Sequence, residues 1–189
     1  METPTWILLS GGIDSAACVQ FYVDLERTIT CLFVDYGQRS AEPERQSATA
    51  VSSHYRVPLE QLTVSGPRTF AEGEVPARNG LLLVSALMHF PARTGTIAIG
   101  LHSGTAYYDC TPSFLSNVNE MFAGYTDGRV RCEAPFLDWD KAAIWEYCHK
   151  TNVPVEITYS CERGDAPPCG RCLSCLDRRS LRAVPPEHS

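Results

Sequence analysis

The sequence predicts an α/β fold built on a doubly wound parallel sheet of about five strands, and three observations lead to it. Short apolar runs alternate with longer stretches of helical pattern along most of the chain. A glycine-containing turn over residues 10–15 follows the first apolar run and precedes the first helical stretch. The chain has 189 residues, of which 44% are hydrophobic, so it can bury one sizeable core.

The first part of the chain contains three predicted strands separated by two predicted helices. Residues 6–9 form an apolar run with the length of a buried strand, and a helical stretch follows over 14–26. Residues 29–34 are the next predicted strand, and residues 41–55 are the next predicted helix. Residues 62–64 are a weaker strand candidate.

The same alternation continues in the second part of the chain. An apolar helix is predicted over 79–90, a strand over 96–99 and a helix over 112–122. Residues 130–134 are another weak strand candidate, and residues 140–150 are the last predicted helix. Strands that alternate with helices form parallel sheets, so we expect helices on both faces of the sheet.

Glycine, proline and cysteine interrupt this pattern from residue 160 onward. We therefore predict an α/β domain over 1–159 and a metal-binding segment over 160–180 that packs on the same domain. A flexible tail is predicted over 181–189.

Composition and charge exclude several classes of protein. The 16 Lys and Arg residues against 22 Asp and Glu give a net charge of −6, which argues against a nucleic-acid partner. The apolar runs fall short of the roughly 20 residues that a membrane span needs. The first residues lack the basic flank and long apolar core of a signal peptide, so we expect a cytoplasmic protein.

Four of the nine cysteines crowd into the last part of the sequence, at Cys161, Cys169, Cys172 and Cys175. Disulfides explain them poorly in a reducing compartment, whereas four thiolates fill the tetrahedral shell of Zn²⁺ and leave no open position. The spacing therefore predicts one structural Zn²⁺ per chain, with an iron–sulfur cluster or unligated thiols as alternatives. The other five cysteines are predicted to be small core residues.

The turn over residues 10–15 has the composition of an anion-binding loop. Its glycines let the backbone approach a ligand, and the unpaired N–H groups of the following helix would face an anion. No lysine follows the glycines, so the loop differs from the type that grips a γ-phosphate and suits a pyrophosphate that leaves. The alternative is a plain glycine turn whose serine and aspartate cap a helix.

This turn resembles the PP-loop, SGGxDS, of the ATP pyrophosphatase superfamily. The resemblance implies a HUP-type α/β fold that binds ATP, adenylates an oxygen of the substrate and releases pyrophosphate. The ATP-binding residues it implies are Ser10, Gly11, Gly12, Ile13, Asp14, Ser15 and Asp35. Of these, Asp14 and Asp35 would position Mg²⁺.

Further motifs follow in order along nearly the whole chain. They are DYGQR at 35–39, VPARN at 75–79, YYDC at 107–110, Asp140-Lys141 and the cysteine-rich tail. This order resembles the 7-cyano-7-deazaguanine synthases (QueC) of the queuosine pathway. The resemblance implies that 7-carboxy-7-deazaguanine is adenylated with ATP, amidated with ammonia and dehydrated to the nitrile. It also implies a homodimer.

The resemblance assigns roles to individual side chains. The catalytic charges would be Asp14, Arg78 and Lys141, and the substrate-binding residues would be Tyr36, Gln38, Arg39, Arg78, Asn79, Tyr107 and Asp109. The residues themselves leave other readings open: an ordinary surface turn at 36–39, a solvated arginine and lysine, and asparagine and aspartate that only cap helices. None of the five histidines shows ligand spacing, and none is assigned.

Two segments are shorter than the family pattern. Only ten residues separate Val64 from Val75, and the stretch from Gly100 to Tyr107 lacks an acidic residue. A reduced lid would expose the acyl-adenylate to larger acceptors. A second interpretation is therefore a QueC-like conjugating enzyme of a bacterial antiphage system, which transfers the acyl group to a protein amine. A third is a non-catalytic nucleotide-binding module, which would not need a loop that releases pyrophosphate.

Overall fold

The computed structural model describes residues 3–66, 70, 73 and 75–183. Five parallel strands form one sheet in the order β3-β2-β1-β4-β5. They are β1 (Thr5–Leu8), β2 (Ile29–Asp35), β3 (Leu59–Thr63), β4 (Gly95–Ile99) and β5 (Val130–Glu133). The chain builds outward from β1 to one edge and then returns to build the other edge. The strand order therefore reverses between β1 and β4, which opens a crevice at their carboxyl ends.

The described residues contain six α-helices, of which five cover the two faces of this sheet. They are α1 (Ile13–Asp24), α2 (Ala41–Tyr55), α3 (Arg78–His89), α4 (Pro112–Thr126), α5 (Lys141–Lys150) and α6 (Leu173–Ala183). Successive strand residues point to opposite faces, so Ile7 joins one buried cluster and Leu8 the other. Residues of α1, α2 and α5 pack in the first cluster, and residues of α3 and α4 pack in the second.

The predicted fold class is confirmed, and each predicted strand and helix has a counterpart. The strand predicted at 62–64 is displaced, because β3 runs over Leu59–Thr63. This strand pairs with β2 alone and exposes Glu60, Gln61 and Thr63. An edge strand with a polar outer face lacks the continuous apolar run by which the inner strands were predicted.

The last helix, α6, has no predicted counterpart. It begins inside the cysteine-rich segment and continues through Ala183, so residues 181–183 are helical where a flexible tail was predicted. The rest of that predicted tail, residues 184–189, lies outside the described residues. Among the described helices, none combines the length and apolarity needed to cross a bilayer.

Candidate active site

A cavity of about 630 Å³ opens at the reversal of strand order. Its walls come from residues 10–15 after β1, from the turn after β2, from residues 99–107 after β4 and from α6. This volume lies within the range of roughly 300–1,000 Å³ that small-molecule sites occupy. The predicted loop therefore lies where an open α/β sheet binds its ligands.

Gly11 fixes the loop against the neighbouring helix. Its φ is +80°, and a Cβ there would lie 2.7 Å from the Glu44 carbonyl oxygen and 2.8 Å from Ser47 Cβ. Its own carbonyl oxygen accepts hydrogen bonds from Ser47 Oγ at 2.7 Å and from the Tyr159 N–H at 2.9 Å. Glycine is needed here both for the left-handed backbone and for the close approach of α2.

The loop serines are bonded to one another at the start of α1. Ser10 Oγ donates to Ser15 Oγ at 3.2 Å, and Ser15 Oγ donates to the Gly12 carbonyl at 2.9 Å. Gly12 occupies the N-cap position, and no described side chain caps the helix there. The residues of this first turn line the cavity, so its N–H groups without an intrahelical partner lie at the cavity wall, which is the arrangement that binds anions.

Asp14 has one carboxylate oxygen engaged and one without a partner. Its Oδ2 lies 3.8 Å from Lys141 Nζ and 3.7 Å from His102 Nε2. Its Oδ1 is buried and has no hydrogen-bond partner among the described residues. A buried carboxylate oxygen without a donor is a position suited to a cation or an ordered water.

His102 is a cavity residue that the sequence analysis did not assign. Its Nδ1 accepts from the Gly104 N–H at 3.0 Å, so the proton of the neutral ring lies on Nε2, toward Asp14. Burial lowers the pKa of His102, although the Asp14 carboxylate opposes this. Its place just after the carboxyl end of β4 is a signal that could have identified it.

Asp35 turns away from the cavity. Its Oδ1 accepts from the Gly37 N–H at 3.0 Å, and its Oδ2 pairs with Arg45 at 2.6 Å. It is absent from the described residues that line the cavity, in contrast to Asp14. Its part in ATP binding stays a prediction, while the contacts show that it holds the turn after β2.

Gln38 is buried and makes hydrogen bonds within the turn after β2 and to α2. Its Oε1 accepts from the Tyr36 N–H at 2.9 Å, and its Nε2 donates to Glu44 Oε2 at 2.9 Å. Burial raises the pKa of Glu44, although the hydrogen bonds from Gln38 and Ser40 oppose this. Gln38 thus shapes the turn, and it lines the cavity together with Tyr36 and Arg39 of the same turn.

Arg78 and Tyr36 form a polar and aromatic corner of the cavity. The Tyr36 ring meets the Phe70 ring edge-to-face, with centroids 5.6 Å apart. Burial raises the pKa of Tyr36, although the nearby Arg78 guanidinium opposes this. Arg78 is the first residue of α3, and its Nε donates to Asn79 Oδ1 at 3.2 Å. A flat ring that carries an acid would find both an aromatic wall and a cation here.

Asn79 and Asp109 bind each other across two segments. Asp109 Oδ2 accepts from the Asn79 N–H at 3.2 Å, and Asn79 Nδ2 donates to the Asp109 carbonyl at 3.1 Å. The carboxylate therefore caps α3, while Thr111 caps the following helix α4. Asn79 and Tyr107 line the cavity, whereas Asp109 is not among its described lining residues.

The helix α6 closes one side of the cavity. Arg178 donates to the Thr158 carbonyl at 2.8 Å and to the Val155 carbonyl at 2.6 Å, which anchors the helix to the domain. Glu162 Oε1 accepts from the Ser174 N–H at 3.1 Å and thereby caps the start of the helix. The cavity residues that α6 supplies, which sequence reasoning missed, are Leu173, Ser174, Asp177, Arg178 and Leu181.

The four clustered cysteines come together as the sequence predicts. Their ligand atoms all lie within 4.8 Å of one another, so they could hold a metal. The Cys169 N–H donates to Cys161 Sγ at 3.4 Å, and the Cys172 N–H donates to Cys169 Sγ at 3.3 Å. Although burial opposes ionisation, the N–H groups of Cys169 and Arg163 lower the pKa of Cys161 to about 6.

Comparison with known protein families gives a match along most of the chain. The family model described as "Queuosine biosynthesis protein QueC" matches residues 5–74 and 66–183. The 7-cyano-7-deazaguanine synthase of Prochlorococcus marinus (strain NATL1A) is 29% identical over 214 residues, covering 97% of this chain and 95% of that protein. The synthase of Desulforudis audaxviator (strain MP104C) is 33% identical, covering 94% of both.

Solved structures share the fold at lower sequence identity. The U34-tRNA thiolase NcsA from Methanococcus maripaludis, solved with its [4Fe-4S] cluster, is 13% identical with a TM-score of 0.55, covering 98% of this chain and 75% of that chain. The NMN synthetase from Francisella tularensis is 17% identical with a TM-score of 0.50, covering 82% of this chain and 63% of that chain. At these identities the likeness concerns the fold alone.

Proposed function

Because this chain belongs to the QueC family, we propose that it uses ATP to convert 7-carboxy-7-deazaguanine into 7-cyano-7-deazaguanine. The observation that carries the proposal is the uncapped start of α1, which faces the cavity beside Asp14. Its N–H groups and the adjacent Lys141 supply positive charge for a polyphosphate. The aromatic corner at Tyr36 and Arg78 leaves a second region of the same cavity for the ring acid.

In the first proposed step, a carboxylate oxygen of the deazaguanine attacks the α-phosphorus of ATP. A new P–O bond forms, the bond to pyrophosphate breaks, and an acyl-adenylate results. Ammonia then attacks the acyl carbon, AMP leaves with the former carboxylate oxygen, and loss of a proton gives the amide. No protein nucleophile takes part, so the residues act through position and charge.

The second proposed activation repeats this chemistry on the amide. The amide oxygen attacks the α-phosphorus of another ATP and displaces pyrophosphate. Loss of AMP and two protons then leaves the carbon–nitrogen triple bond. Each nitrile therefore requires two ATP molecules and produces two AMP molecules.

Two cationic side chains take separate parts in this proposal. Arg78 presents its guanidinium beside Tyr36, where it can orient the substrate carboxylate. Lys141 lies near the start of α1, where it can neutralise phosphate charge. The residue that fits Mg²⁺ is Asp14, because its Oδ1 is buried without a partner; bound there, the ion would neutralise charge on the polyphosphate.

The geometry of the cysteine cluster supports Zn²⁺ as its metal. Zn–S bonds of about 2.3 Å in a tetrahedron place the sulfurs roughly 3.8 Å apart. The ligand atoms here all lie within 4.8 Å of one another, and Cys169 Sγ is 3.9 Å from Cys175 Sγ. A [4Fe–4S] cluster binds each cysteine to a different iron, and a [2Fe–2S] cluster divides the four cysteines between two irons, so either type spreads the sulfurs further apart than a single metal ion does. The four thiolates would leave no open position, which assigns the ion a structural role.

Incubation of the purified protein with ATP, Mg²⁺, ammonia and 7-carboxy-7-deazaguanine tests the proposal. Mass spectrometry should detect the nitrile, and the nucleotide products should be AMP and pyrophosphate. AMP is expected because the loop lacks the lysine of γ-phosphate-binding loops. Formation of ADP and phosphate without AMP would contradict the proposal, because it would mean that the reaction occurs at the γ-phosphorus.

A second candidate function, transfer of the acyl group to a protein amine, is favoured by a shortened segment. The alignment with the Prochlorococcus synthase extends over 214 residues, more than the 189 of this chain. The Prochlorococcus protein therefore carries residues that have no counterpart here. The family-model match is split into two parts that overlap at residues 66–74. A split of this kind is expected where family members carry a segment that this chain lacks. Less cover over the acyl-adenylate would admit a bulkier acceptor than ammonia.

A further inference from the structure

Lys141 lies between two carboxylates that come from different helices. Its Nζ is 3.8 Å from Asp14 Oδ2 on α1 and 3.9 Å from Asp177 Oδ2 on α6. The side chain of Asp14 is 24% exposed and that of Asp177 is 55% exposed. The ammonium is therefore shared between an inner carboxylate in the loop over residues 10–15 and an outer carboxylate on the C-terminal helix.

Asp177 is held in place by its neighbours although its own side chain is half exposed. The next residue, Arg178, donates to the Val155 and Thr158 carbonyls. Cys175, two residues earlier, belongs to the four-cysteine cluster. The backbone on both sides of Asp177 is thus anchored, so the position of its carboxylate follows from the docking of α6.

We propose that Asp177 is a positioning residue for Lys141. It draws the ammonium away from Asp14 and holds it at the side of the cavity, where a polyphosphate can contact it. Without this second carboxylate, Lys141 would pair with Asp14 alone, and each charge would neutralise the other. The inference rests on the proposed use of ATP and assigns the C-terminal helix a part in the site beyond closing it.

The direction in which ATP affinity changes when the Asp177 carboxylate is removed distinguishes a positioning role from mere proximity to the site. A carboxylate that merely lies near a polyphosphate site repels ATP, so its removal should strengthen ATP binding or leave it unchanged. A carboxylate that positions the phosphate-binding lysine should have the opposite effect when it is removed. A purely structural role would lower thermal stability or metal content and leave the affinity of the folded protein unchanged.

Calorimetric titration of the metal-loaded protein with ATP and Mg²⁺ compares the ATP affinity of the wild type with that of the Asp177 variants. Asp177→Asn should weaken ATP binding about threefold, in the range expected for a solvent-exposed ion pair. Asp177→Glu should restore part of the affinity, and Asp138→Asn, a change of an exposed aspartate outside the cavity, should not alter it. Unchanged or tighter binding by Asp177→Asn overturns the inference.

A double-mutant cycle with Lys141→Ala tests whether Asp177 acts through the lysine. In the Lys141→Ala background, Asp177→Asn should no longer weaken ATP binding and should strengthen it slightly by removing a negative charge. An equal loss in both backgrounds would show that Asp177 acts elsewhere and would overturn the inference alone. Failure of the wild-type protein to bind ATP would overturn the proposed function first, and this inference with it.

Discussion

The Tyr159 N–H donates a 2.9 Å hydrogen bond to the carbonyl oxygen of Gly11. This bond joins the loop over residues 10–15 to the segment that immediately precedes Cys161. Ser47 Oγ donates to the same oxygen at 2.7 Å, so both α2 and the residue that leads into the cysteine-rich segment hold the loop. Loop geometry and C-terminal docking are therefore connected, and changes in either should alter both stability and ATP binding.

Gly11→Ala should lower the free energy of unfolding, because the added methyl group clashes with α2 and the backbone conformation disfavours a side chain. The added methyl meets the Glu44 carbonyl at 2.7 Å, and the φ of +80° disfavours a side chain. We expect a loss of about 3 kcal/mol in the free energy of unfolding, which urea denaturation would measure. Gly124→Ala is the matched control, because nothing lies within 4 Å of its added methyl and it lies inside α4. That change should stabilise the protein by about 0.5–1 kcal/mol, and equal losses in both variants would contradict this account.

Asp14→Asn should reduce activity far more than stability. The charged contacts of Asp14 with Lys141 and His102 are long, at 3.8 and 3.7 Å, so their loss should barely shift the melting temperature. Loss of the carboxylate charge should lower the rate of AMP formation about 100-fold, since it removes a charge that orients the metal and phosphates. Parallel thermal melts and AMP assays would measure both effects. A variant that keeps most of its activity would remove Asp14 from the proposed mechanism.

His102 should make stability depend on pH in a definite direction. Burial lowers its pKa in the folded protein, so the unfolded chain binds more protons at mildly acidic pH. Its contribution is therefore complete above the unfolded pKa of about 6.5 and is lost as the pH falls toward the folded pKa. His102→Gln should flatten the decline in unfolding free energy between roughly pH 7.5 and pH 5.5. The exposed His149→Gln serves as control, and an equally flattened profile there would discount the burial of His102.

The alternation of strands and helices was predictable because it depends on local pattern. The buried runs at β1, β2 and β4 are continuous and apolar, and the loop over residues 10–15 is a contiguous motif. The contact of His102 with Asp14 and that of Asp177 with Lys141 were not predictable in this way. His102 reaches Asp14 only because β4 pairs with β1, and Asp177 reaches Lys141 only because α6 docks on the domain. Both contacts depend on the tertiary arrangement, which no local spacing records.

The predicted metal should appear as one zinc per chain, measured by elemental analysis of the purified protein. Cys172→Ser should abolish metal binding and lower the melting temperature, because Cys172 is buried within the cluster. Small zinc modules gain roughly 10 kcal/mol or more from their metal. We expect a smaller loss here, since the α/β core has its own buried clusters. Cys148→Ala, a buried cysteine outside the cluster, should leave the zinc content unchanged. Iron with visible absorption would contradict the prediction.

The yield of nitrile per AMP should separate the two candidate functions. With ammonia as the only acceptor, a complete synthase should form one nitrile for every two AMP molecules. If the shortened segment near residues 66–74 leaves the acyl-adenylate open to water, hydrolysis should regenerate the carboxylate and AMP should exceed this ratio. Quantitative chromatography of AMP, amide and nitrile from one reaction would measure it. A ratio of one to two would end the conjugation hypothesis, whereas excess AMP that falls when a protein acceptor is added would support it.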